Sequence, residues 1–114
     1  MPHFILDCTE NILELQNPRK TIETVFETAF ETGLFARNDI KVRLNPFKHS
    51  LVQAGNDDFI HVFGNIMEGR TPEQKANLSK VIVRKLNELF PNVPIISMNI
   101  SDFTKESYCN KTMV

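Results

Sequence analysis

Apolar positions along the chain set out a strand, a helix and a strand, and then the same series again. Phe4-Ile5-Leu6 is a short apolar run of strand type. Over residues 18–32, Ile22, Val25, Phe26, Ala29 and Phe30 recur at helical spacing and give one apolar face. Asn17 is placed to cap that helix, Pro18 occupies its first position, where a missing N–H costs nothing, and Gly33 is placed to stop it. Ile40-Lys41-Val42-Arg43-Leu44 alternates strictly and predicts a half-buried strand. The series restarts with a β-rich run at residues 59–66. Thr71-Pro72-Glu73-Gln74 then opens a second helix with a capping box, Leu78, Val81, Ile82, Leu86 and Leu89 form its apolar face, and Pro91 and Pro94 end it. Residues 95–100 are the last predicted strand. Residues 45–57, with Pro46, Gly55, Asn56 and Asp57, read as the connection between the halves, and residues 102–114 as a polar tail carrying Phe103 and Tyr108.

This order predicts one domain over residues 1–114, a pseudo-repeat of two βαβ halves of about 1–57 and 58–114. The fold class is α+β: tandem βαβ units forming a four-stranded mixed sheet, with right-handed crossovers and two helices on one face. The other sheet face is left uncovered, which gives the chain a reason to associate with copies of itself.

Composition changes this picture little. With 114 residues, 41% hydrophobic and 24% charged, the chain is ordinary for a globular protein, and a formal net charge of -1 gives no reason to expect nucleic acid or an anionic membrane as partner. Cys8 and Cys109 share no motif spacing and read as free thiols in a reducing compartment. The first residues lack the charge and the apolar length of a signal peptide, and no stretch is long enough to span a bilayer, so the expected location is cytoplasmic.

Three features carry candidate chemistry. Pro2 follows the initiator Met1, and trimming of Met1 would leave a secondary amine at the chain end. An α-amino group titrates nearer neutrality than lysine, and burial or neighbouring cations lower its pKa further, which makes a general base without a histidine. Pro2 leads directly into an apolar strand, so the amine would be held against the core. Arg70, between a strand and a helix start, would form a carboxylate-binding corner with the unpaired N–H groups there; its bland alternative is a surface arginine beside a turn. Lys41 and Arg43, two apart on a strand, project from one face and invite an anion between them; the bland alternative is a solvated edge. His61 reads as a histidine at the core edge with a satisfied hydrogen bond, His3 points opposite to Pro2, and His49 falls in the connection. Their spacing suits no metal site.

Met1-Pro2-His3-Phe4-Ile5, Gly33-Leu34-Phe35 and Glu68-Gly69-Arg70-Thr71 together resemble the 5-carboxymethyl-2-hydroxymuconate isomerase family of the tautomerase superfamily. Residues 67–75 also resemble the opening helical turn of 4-oxalocrotonate tautomerase. The resemblance implies a homotrimer with sheets facing inward, and ketonisation of a polycarboxylate dienol in aromatic catabolism without metal or organic cofactor. It implies Pro2 as the base and Arg70, Lys41 and Arg43 as substrate-binding cations, with Tyr108 near an aromatic position that walls the pocket. Lys41 stands where the family usually has arginine, and lysine cannot make the bidentate fork with a carboxylate. Two alternatives stand beside this reading. One is a phenylpyruvate-type enol tautomerase of the macrophage migration inhibitory factor branch, against which the Glu68-Gly69-Arg70 corner argues. The other is a trimeric binding protein without turnover.

Overall fold

The structure is a computed structural model that describes residues 1–55 and 57–114; Asn56, part of the predicted connection, lies outside the described residues. Strand β1 spans His3–Thr9 and is followed by a one-turn helix α1, Ile12–Leu15, and the long helix α2, Pro18–Glu31. Strand β2, Lys41–Phe47, closes the first half; β3, Phe59–Met67, helix α3, Pro72–Leu89, and β4, Ile95–Phe103, form the second. The sheet order is β2-β1-β3-β4. Each half pairs its own strands in parallel, β1 with β2 and β3 with β4, while β1 and β3 meet antiparallel at the centre. This is the expected four-stranded mixed sheet.

The period of two along the strands divides the sheet into two faces. Phe4, Leu6 and Cys8 from β1 and Ile60, Val62 and Ile66 from β3 are fully buried, and they share one core with Val25 and Ala29 of α2 and Leu78, Ile82 and Leu86 of α3. The alternate residues, among them His3, Ile5, Arg43, His61, Phe63 and Asn99, lie on the face without helices. Phe63 and Phe47 there remain 39% exposed.

Both helix starts follow the predicted chemistry. The Asn17 side chain accepts from the Arg19 N–H at 2.8 Å. At α3 the capping box is complete, with Gln74 N–H donating to Thr71 Oγ1 and Thr71 N–H to Gln74 Oε1. Gly33 ends α2 with φ +77°, a left-handed backbone that a side chain disfavours. The buried stripe of α2 is Thr21, Val25, Thr28 and Ala29; Phe30, expected on it, is turned outward, where the Arg37 guanidinium covers Phe30 and Phe26 at 4.8 and 5.2 Å and pairs with Glu27.

Two strand boundaries need correction. β2 runs on through Pro46 to Phe47, because an edge strand has an outward side on which a missing N–H leaves no partner unpaired. β4 extends to Phe103, so Asp102 and Phe103 belong to the sheet and not to the tail. Helix α3 ends at Leu89, just ahead of Pro91 as expected, with the Phe90 N–H donating to Leu86 O. Helix α1 is too short to show a period in the sequence, yet it seats the fully buried Ile12.

Two stability outcomes follow from this packing. Leu86→Ala in the shared core lowers unfolding free energy by roughly 2–5 kcal/mol, and Thr71→Ala at the capping box by about 1 kcal/mol. Urea titrations followed by circular dichroism read both.

Candidate active site

The amino terminus enters the sheet at one end of its central strand. Pro2 is buried. Its carbonyl accepts the Lys41 N–H at 3.1 Å, which fixes the start of β1 against the start of β2. Ahead of it, the Met1 amine donates to the Asp39 carbonyl at 2.7 Å and lies 3.8 Å from the Asp39 carboxylate. The Lys41 ammonium donates to the same carbonyl at 2.6 Å. Two amino groups therefore converge on one main-chain oxygen. The terminal amine has its pKa lowered, first by burial and then by the Lys41 charge; Asp39 opposes this and Arg70 adds a smaller push in the same direction.

Arg70 stands on the helix side of this corner. Its guanidinium donates to Leu34 O at 2.6 Å and to Met67 O at 3.3 Å and lies over the Phe35 ring at 5.1 Å. Leu34 and Phe35 follow α2, and Met67 ends β3, so one side chain ties the two halves of the chain together. The sequence suggests a carboxylate-binding corner; the structure adds a bracing task that no motif announces. The remaining N–H groups of the guanidinium are left over for a ligand.

Lys41 and Arg43 project from the open side of the edge strand as their spacing predicts, and both are exposed. His3 is the register partner of Lys41. Arg43 Nη1 meets His3 Nδ1 at 3.1 Å. The repulsion expected between the two cations is thus eased by a ring nitrogen that accepts from Arg43. His3 also packs edge-on against Phe103, with ring centroids 6.1 Å apart, and Phe103 lies beside Tyr108 with centroids 6.0 Å apart and the rings tilted by 35°. The tail that carries Tyr108 is pinned by the Lys105 N–H to Glu68 Oε2 bond at 2.6 Å. Pro2, Lys41, Arg43, Arg70 and Tyr108 are therefore gathered around one end of the sheet. Asp39 and His3 belong to the same neighbourhood. Asp39 carries no sequence signal, since its part is played by a main-chain oxygen, and His3 becomes visible only once β1 and β2 are known to be neighbours.

The other candidates lie elsewhere. His61 sits mid-sheet on the open face with both ring nitrogens engaged, Nδ1 with Ser97 Oγ at 2.7 Å and Nε2 with Asn99 Oδ1 at 2.6 Å. His49 is exposed beyond β2. Cys8 is fully buried, and burial, with Asp7 and Asp58 nearby, pushes its thiol up to about 11, so it carries no thiolate at neutral pH. Cys109 is exposed, and both thiols are free. Among the described residues no group of three His, Cys, Asp or Glu side chains could hold a metal ion, and no helix is long and apolar enough to cross a membrane.

Residues 2–113 match the family model of 5-carboxymethyl-2-hydroxymuconate isomerase. A comparison with curated protein sequences gives no match. Among solved structures, a 5-carboxymethyl-2-hydroxymuconate isomerase from Deinococcus radiodurans R1 superposes with a TM-score of 0.84 at 21% identity, over 96% of this chain and 88% of its own. A 5-carboxymethyl-2-hydroxymuconate delta-isomerase gives 0.81 at 13% identity over 97% and 87%. A fused 4-OT described as a wild type symmetric trimer gives 0.81 at 17% identity over 98% and 96%. At these identities the structural likeness carries the fold, which is that of the tautomerases.

The bracing by Arg70 has a measurable consequence. Arg70→Ala leaves the Leu34 and Met67 carbonyls without their partner and lowers unfolding free energy by about 1–3 kcal/mol; a calorimetric melt of variant and parent checks it.

Proposed function

Because the chain belongs to the 5-carboxymethyl-2-hydroxymuconate isomerase family, we propose that it is a tautomerase that converts a carboxylated 2-hydroxymuconate-type dienol to its enone, with Pro2 as general base and then general acid once Met1 is removed. The observation that carries this reading is the setting of the terminal amine, held at a buried strand start beside Lys41 and lowered in pKa by burial and by that cation. Removal of Met1 moves the amine one residue inward to Pro2, which is itself buried and takes the Lys41 N–H on its carbonyl, and burial there and the Lys41 charge would lower a free Pro2 amine in the same sense. A neutral secondary amine there takes the proton from the enol hydroxyl, and the resulting ammonium returns one to a carbon further along the conjugated chain. One group thus serves both steps.

Carboxylate recognition falls to the cations around it. Arg43 offers a guanidinium edge, Lys41 a point charge next to the amine, and Arg70 the N–H groups that its two carbonyls leave over. Their positive charge stabilises the oxyanion that develops at the 2-oxo end, and it keeps Pro2 neutral. Tyr108 walls the site through its contact with Phe103. No metal or organic cofactor takes part in this scheme, and aromatic-compound degradation is the setting in which such dienols arise. A homotrimer with the open sheet faces turned inward would cover Phe63 and Phe47; the trimeric form of a fused 4-OT with this fold supports it.

The polyanionic substrate is favoured over a phenylpyruvate-type enol by the number of cations at this end of the sheet. Three tests apply. Intact mass of the native protein shows Met1 absent. Pro2→Ala, which leaves a primary amine, lowers kcat by on the order of a hundredfold on a dicarboxylate dienol, and the parent turns over a dicarboxylate faster than a monocarboxylate enol. Normal turnover by both Pro2→Ala and Arg70→Ala, or retention of Met1 in an active enzyme, sinks the assignment.

A further inference from the structure

The Arg43–His3 contact admits only one arrangement of protons. An arginine guanidinium has no acceptor and stays protonated throughout the physiological range, so Nη1 is the donor and His3 Nδ1 the acceptor. His3 is therefore neutral, with its proton on Nε2. The ring packs edge-on against Phe103 of β4, and the residue is fixed in the sheet by its register partners Lys41 on β2 and Asn65 on β3. An Arg43 side chain on an exposed edge strand would otherwise sample many rotamers. With Nη1 tied to His3, the guanidinium plane is set and its Nε/Nη2 edge is left for a bidentate partner.

We propose that His3 is a positioning residue for substrate, aiming Arg43 at a carboxylate while neutral and releasing it when protonated. This rests on the tautomerase reading only for the identity of the ligand. Protonation at Nδ1 would place N–H against N–H and charge against charge, so the imidazolium form cannot keep the contact. The charged and titratable groups that face His3 are Arg43 and Lys41 of β2 and the terminal amine, with Asp39 beyond that amine; Tyr108 stands behind Phe103. Burial, then the Arg43 and Lys41 charges, hold the His3 pKa below its ordinary 6.5, so the neutral form prevails at neutral pH and is lost on acidification.

The test uses His3→Asn and His3→Ala. The Asn Oδ1 can stand where Nδ1 stands and accept from Arg43 without titrating, while Ala removes the acceptor. At about pH 8 His3→Ala is expected to raise KM for a dicarboxylate dienol about tenfold with kcat within about twofold, and His3→Asn to keep KM near the parent value. As pH falls toward about 5, parent KM rises relative to that of His3→Asn; taking this ratio cancels the Pro2 titration common to both. Equal KM values for His3→Ala and His3→Asn, or a ratio flat with pH, overturn the proposal. A second arm needs no substrate. NMR titration of the His3 ring shows a pKa that moves up toward its ordinary value in Arg43→Gln, and an unmoved pKa overturns the contact. A parent protein that turns over no dienol at all defeats the tautomerase reading, and the NMR arm still decides whether His3 governs Arg43.

Discussion

The hydrogen-bond ladder between the starts of β1 and β2 is the constraint from which the site follows. β1 lies inside the sheet, with β2 parallel on one side and β3 antiparallel on the other, so its first residues are paired on both edges. A chain terminus normally frays. Here the Pro2 carbonyl is fixed to the Lys41 N–H, and the side chains of His3, Lys41 and Arg43 are set by register rather than by loop conformation. An amine held this way keeps its distance from the cations without any closing lid, and its electrostatic surroundings are built when the sheet forms.

The second support is the brace between the halves. Arg70 reaches from the start of α3 to the carbonyls of Leu34 and Met67 and flattens onto Phe35. The core beneath is continuous across both βαβ units, so α2 and α3 pack on the same sheet face. Charge at the site and rigidity of the site are thus partly supplied by the same side chain. Its removal would take away a brace and a positive charge together, so a loss of one cannot be read without a measure of the other.

Much of this architecture was legible in the chain because it is written in local chemistry. Asn17-Pro18, Gly33 and the Thr71-Pro72-Glu73-Gln74 box mark helix ends through hydrogen bonds made within a few residues, and strict alternation from Ile40 to Leu44 marks a half-buried strand. Pro46 misled because a proline signals a break unless the strand is known to lie at an edge. Phe103 reads as tail in the sequence because the polar Ser101 and Asp102 separate it from the apolar run of the strand. At the site, the residue types of Pro2, Lys41, Arg43 and Arg70 announced cationic chemistry around an amine. The sequence held no sign of which hydrogen bonds those cations already make. That Arg70 spends a donor on the Leu34 carbonyl and Arg43 one on His3 depends on pairings between residues 36 and 40 positions apart. No local pattern encodes such distances.

The sheet has a second corner that corresponds to the one holding Pro2, at the residue before β3. Asp58 stands there, its carboxylate accepting from Thr9 Oγ1 at 2.7 Å and Asn11 Nδ2 at 2.9 Å. That position is an internal peptide in a continuous chain, so it can never present a free main-chain amine. The internal symmetry of the βαβ order is therefore broken in its chemistry: one corner is cationic, the other is acidic and closed by its own hydrogen bonds. However many copies assemble, the count of amine-bearing sites equals the count of chains and not the count of βαβ units.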